Sequence, residues 1–153
     1  DQNISNLLKE RQLLANDIIK VKGSKFPFDP EREKKLLKKI STYGLNPTLV
    51  DRVWRQIIAF NLSKQKKLKI GILDDNKYIL AAVETYFGPY FKNCFFYSKI
   101  KLFQSLKNNK IDIGFVEEKG SLKKEKIKEV LCVGNFPISE KFYNKNFLIL
   151  IKE

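Results

Sequence analysis

The chain has 153 residues, enough for one ordinary domain or two small ones, and its 43% of hydrophobic residues allow a packed core, which excludes a disordered chain. Thirty Lys and Arg against 17 Asp and Glu leave a net charge of +13, but the lysines are spread over the entire length, so composition bias on solvated faces explains them better than a nucleic-acid surface does. Histidine is absent, which removes the commonest general base and metal ligand.

No apolar run approaches the roughly 20 residues of a membrane span, so a soluble, cytoplasmic protein is expected. Cys94 and Cys132 lie far apart without CxxC spacing, and neither a disulfide framework nor a structural zinc site is expected. The sequence has no Met and begins at Asp1 inside an amphipathic pattern, so the first helix is expected to start upstream.

Helical periodicity predicts a first helix over 1–22, ending near Gly23-Ser24. Its apolar stripe is Ile4, Leu7, Leu8, Ala15 and Ile18, and Arg11 and Lys22 stand within it. The step from 11 to 22, at about 100° per residue, returns to nearly the same direction, so both cations point to one side. Two like charges on a packed face call for an anion between them.

The second helix has Asp29 as N-cap, Pro30 in its first position and Glu31 in its first turn. Its inward face is Glu33, Leu36, Leu37 and Ile40, an acid heading an apolar stripe, with Arg32 beside it. Tyr43-Gly44-Leu45-Asn46-Pro47 ends this helix and starts a third over 47–66. There the stripe Val50, Val53, Trp54, Ile57 runs on into Asn61 and Gln65.

The period then changes. Strands are predicted at Leu68 to Leu73, Cys94 to Tyr97, Ile111 to Glu117, Val130 to Val133 and Phe147 to Ile151, with helices at Tyr78 to Phe87 and Ile100 to Asn108. The fold class is therefore multi-domain, α plus α/β: a helical segment over 1–67 and a small α/β domain over 68–153 with a mainly parallel sheet. Arg11, Lys22, Arg32, Glu33, Asn61 and Gln65 fall on faces that should pack together. Singly, each could be a snorkelling stem or an exposed polar residue. Together they make a pocket for a small polyanion that carries a hydroxyl.

The run Leu7-Leu8-Lys9-Glu10-Arg11 with Lys22, then Asp29-Pro30-Glu31-Arg32-Glu33, then Ile57-Ile58 leading to Asn61 and Gln65 resembles the all-helical class of chorismate mutase. The resemblance covers residues 1 to about 67 in order and in nearly the family's spacing. It implies that Arg11 holds a substrate carboxylate, that Lys22 and Gln65 hydrogen-bond the ether oxygen, and that Glu33 takes the ring hydroxyl. Arg32, Asp29 and Asn61 would line the same pocket. The family often has Ser where Asn61 stands, and its members carry a further arginine near the start of the first helix, donated to the partner subunit's site, at a point before this sequence begins.

The reaction so implied, chorismate to prephenate, is a Claisen rearrangement that needs no nucleophile, proton transfer, metal or cofactor, which suits a chain without histidine. The family's intertwined chains imply a homodimer. Related expectations are isochorismate pyruvate-lyase chemistry on the same cation set, or a non-catalytic module that senses a small acid or binds nucleic acid.

Residues 68–153 resemble, more faintly, the first lobe of prephenate dehydratase. Ile70-Gly71-Ile72-Leu73, Ala81-Ala82, Tyr86-Phe87-Gly88, Ile113-Gly114-Phe115-Val116, and Val133-Gly134 with Phe147 to Ile151 carry that likeness. The departures are Asp74-Asp75-Asn76-Lys77-Tyr78 in place of a glycine-rich serine/histidine loop, Glu118-Lys119-Gly120-Ser121 in place of Glu-Asn-Ser, and no Thr-Arg-Phe. Dehydration of prephenate is therefore not expected. Deleting 68–153 is expected to leave mutase activity within about tenfold, since every residue assigned to the pocket precedes Leu68.

Overall fold

The computed structural model describes residues 1–22, 26–74, 76–118, 129–138 and 145–153, with side chains at 16, 18–22, 135–138 and 145 outside that description. Three helices come first: α1 (Gln2–Lys22), α2 (Pro30–Ser41) and α3 (Pro47–Gln65). Then follow β1 (Lys69–Leu73), α4 (Lys77–Phe87), a 3-10 turn (Gly88–Tyr90), β2 (Lys92–Phe96), α5 (Lys99–Lys107), β3 (Ile113–Glu117), β4 (Val130–Ile138) and β5 (Lys145–Lys152). No described helix is long and apolar enough to cross a membrane. Gly23-Ser24, Asp75 and the Lys119–Lys128 stretch, including Gly120 and Ser121, lie outside the described residues.

Local chemistry sets the helix starts. Asp29 Oδ1 accepts the Arg32 amide at 3.0 Å with Pro30 in the first turn of α2. Asn46 Oδ1 caps α3 through Thr48 N and Leu49 N, and Asn76 Oδ1 caps α4 through Tyr78 N and Ile79 N. Each cap satisfies amides that have no partner inside the helix.

The strand order is β2-β1-β3-β5-β4. β1 pairs parallel with both β2 and β3, as βαβ crossovers through α4 and α5 require. The pairs β3–β5 and β4–β5 are antiparallel, so the sheet is mixed rather than mainly parallel. The reason lies in the connections: a parallel return needs a crossover of a dozen or more residues, and only residues 139–144 separate β4 from β5.

The alternating side chains of the sheet serve two layers. Ile70, Ile72, Ile113, Phe115, Phe147 and Ile149 pack on α4, whereas Val116, Leu148 and Leu150 pack on Leu102, Phe103 and Leu106 of α5. The first of these cores does not stop at the sheet. It includes Phe28, from the segment before α2, and Leu62 of α3. The helical segment is thus seated on the α4 side through shared hydrocarbon. Gln56 Nε2 of α3 reinforces the seat by donating to the carbonyls of Glu84 and Thr85 at the end of α4, at 3.4 and 3.3 Å. The Phe60 and Tyr90 rings meet edge to face at 5.4 Å. At the junction of the two halves Asp112 binds Lys66 Nζ at 2.8 Å and the Lys69 amide at 2.9 Å.

In the helical half, Leu37 and Ile40 of α2 pack on Val50 of α3, as the stripes predict. Helix α1 behaves differently. Among the described side chains of its expected stripe, only Ala15 is buried, Leu8 is half-buried, and Ile4 and Leu7 are 61% and 64% exposed; Ile18 lies outside the description. Within one chain α1 packs chiefly on α3, and one helix covers one side of it.

Candidate functional site

A cavity of about 310 Å3 opens between α1, α2 and α3, lined by Arg11, Leu14, Ala15, Pro27, Asp29, Arg32, Glu33, Leu36, Ile58, Asn61, Leu62 and Gln65. Its size lies at the small end of the range for small-molecule sites. Six of the residues singled out in the sequence, Arg11, Asp29, Arg32, Glu33, Asn61 and Gln65, meet on its wall. The seventh, Lys22, ends α1, and its side chain lies outside the described residues.

Each wall residue is placed by its helix. Arg11 comes from the middle of α1, and its Nε is buried without a hydrogen-bond partner among the described residues. Burial, and then the nearby charge of Arg32, lower its pKa from the ordinary arginine value. Both effects disfavour the charged guanidinium, and a bound anion would offset them. Asp29 reaches the wall because it caps α2, its Oδ1 being engaged by the Arg32 amide. Asn61 is the buried polar residue of the described core, 8% exposed. Gln65, one turn on, donates through Nε2 to the Asn61 carbonyl at 3.4 Å, a long bond that a ligand acceptor can replace.

Glu33 stands in the first turn of α2, and its Oε2 accepts a hydrogen bond from the Tyr86 hydroxyl at 2.9 Å. Burial, the dominant cause, pushes its pKa up to about 7; Asp29 adds to the rise, and the Tyr86 bond and Arg55 oppose it. Tyr86 is itself held well above the ordinary tyrosine range by burial and by Glu33, so its hydroxyl keeps the proton it donates. The Arg55 guanidinium lies over the Tyr86 ring, 4.6 Å from the centroid, and is anchored at 2.8 Å by Asp51 one turn earlier.

Tyr86 and Arg55 were missed by sequence reasoning. Arg55 reads as one half of an exposed i,i+4 pair with Asp51, and Tyr86 as one of the aromatic residues closing α4. One signal was present: an acid on an apolar stripe needs a donor, and Glu33 had none within its own segment.

The geometry defines a class of site, a half-enclosed cavity with two arginines, two carboxylates and two amides, suited to a small polyanion with a hydroxyl. Residues 1–66 match the family model described as chorismate mutase type II. No curated protein matches the chain. No solved structure matches it either.

Proposed function

We propose that the chain is a chorismate mutase, with the cavity between α1, α2 and α3 as its active site. The observation that carries this reading is the buried Nε of Arg11, without a hydrogen-bond partner among the described residues, on a wall shared with Glu33, Asn61 and Gln65, within the segment that matches the family. Arg11 takes one substrate carboxylate, with Arg32 adding charge and Asp29 and Asn61 completing the wall. Lys22 and Gln65 donate to the ether oxygen, where negative charge grows as the C–O bond breaks and the new C–C bond forms. Glu33 accepts the ring hydroxyl. No proton changes hands, so the side chains contribute by holding the enolpyruvyl arm over the ring and by preorganised hydrogen bonding.

The functional unit in this reading is a homodimer. Ile4, Leu7 and Leu14 share one face of α1 with Arg11 and are 61%, 64% and 63% exposed, so an apolar strip borders the open side of the cavity. A second copy laid along that strip closes the site and removes the exposed hydrocarbon from water. Residues 68–153 are proposed to lack prephenate dehydratase activity.

The test is a chorismate-consumption assay with product identification. Prephenate supports the reading, salicylate plus pyruvate formed from isochorismate in a parallel assay, with no prephenate from chorismate, would reassign the cavity to isochorismate lysis, and no turnover of either would reject an active site here. Supplying prephenate directly and finding enzyme-dependent phenylpyruvate would overturn the inactive reading of the α/β half.

A further inference from the structure

All residues lining the cavity precede Leu68, yet the carboxylate among them that is assigned to the substrate hydroxyl is gripped from the other half of the chain. A glutamate has several rotatable bonds and does not hold one geometry unaided. Tyr86 can hold it, because Tyr86 cannot swing. Its ring is 7% exposed, 4.7 Å from Phe87, edge-on to Phe28 at 6.2 Å, and covered by Arg55. Asp51, Arg55, Tyr86 and Glu33 thus form a chain of contacts running from α3 through α4 to α2. Only Oε2 of Glu33 is engaged by it, and Oε1 takes no hydrogen bond among the described residues.

We propose that Tyr86 is a positioning residue of the site: by holding Glu33 Oε2 it presents Oε1 to the substrate's ring hydroxyl, which makes the α/β half part of the working enzyme. This rests on the chorismate mutase reading. The groups that set the state of Glu33 are Tyr86 from α4, Arg55 from α3, Asp29 at the start of α2, and Arg11 and Arg32 on the same cavity wall. β4, which also packs against α2, carries no charged residue. Since the Tyr86 bond favours the ionised carboxylate, removing it raises the Glu33 midpoint further.

The experiment uses the full chain and four proteins: wild type, Tyr86→Phe, Glu33→Gln and the double variant. Phenylalanine keeps the ring and loses the hydroxyl, and with it the bond to Glu33 and the hydrogen bond from Arg55. Two quantities are read against pH: the Glu33 carboxyl resonance by carbon NMR, and kcat/KM for chorismate. Tyr86→Phe is expected to move the Glu33 midpoint and the kcat/KM inflection upward together and to lower the plateau kcat by about tenfold, with no further loss when added to Glu33→Gln. An unmoved midpoint, or the same loss in both backgrounds, would overturn the proposal and leave Tyr86 a packing residue. Should Tyr86→Phe fail to fold, the wild type decides: the Tyr86 ring carbon bearing the hydroxyl must report the Glu33 midpoint, and independent titration overturns the proposal. If wild type does not turn over chorismate, the functional reading fails, while the two titrations still decide whether Tyr86 holds Glu33.

Discussion

Glu33 links the site to stability, and the sign follows from its proton. In the unfolded chain the carboxyl ionises near its ordinary 4.5, in the folded protein near 7, so between these values the folded form holds a proton that the unfolded form has lost. Its contribution is fully present below pH 4.5 and is lost as pH rises through 7. The loss amounts to about 3 kcal/mol. Urea unfolding at a series of pH values should show this decline in wild type, and Glu33→Gln should flatten it. Gln65→Ala on the same cavity wall, and Lys22→Ala at the end of α1, should each lower kcat by about a hundredfold with the fold and assembly unchanged; equal activity would remove them from the mechanism.

The helices and strands were largely legible because their signals are local. Asp29-Pro30, Asn46-Pro47 and Asn76 cap three helices where the sequence places starts, and each predicted strand overlaps an observed one, although β4 runs on to Ile138, well past the predicted Val133. The direction of β5 was not legible, since apolar alternation reads the same in parallel and antiparallel strands. Nor was the docking of α4 on α3, which rests on contacts between residues far apart in sequence, such as Gln56 with Thr85. Gly88 is the hinge of that docking. Its φ is +62°, and a Cβ there would lie 2.7 Å from Gln56 Oε1 and 2.8 Å from the Tyr90 ring. Gly88→Ala should therefore lower the unfolding free energy by about 2 kcal/mol, measured by denaturant titration. For α1 the expected partner is another α1: sedimentation should give a dimer, and Ile4→Lys with Leu7→Lys should shift it toward monomer.

The two halves of the molecule meet through a core as well as through a hydrogen bond, and this changes the expectation for deletion of 68–153. Removing that part uncovers Phe28 and Leu62, which are 5% and 4% exposed, and takes Tyr86 from Glu33. The shortened chain should lose more than tenfold in activity per folded molecule and should unfold at lower denaturant concentration. The full chain should melt in a single transition when followed both by Trp54 fluorescence, which reports the helices, and by amide exchange in β1 and β3. Separate transitions would show that the shared hydrocarbon does not couple the halves.

The place of Phe28 also imposes a timetable on synthesis. It is made before β1 to β5, yet its ring lies 5.7 Å from that of Phe87, in a core that also holds Phe147 and Ile149. At about 5–20 residues per second, the ribosome delivers β5 several seconds or more after Phe28, although both belong to one core. Until then the nascent chain carries a bare phenylalanine, an unpaired Glu33 and the uncovered hydrocarbon of α1. The pocket helices thus emerge first but reach their final packing late, and the growing chain is most exposed to premature association between copies during that interval.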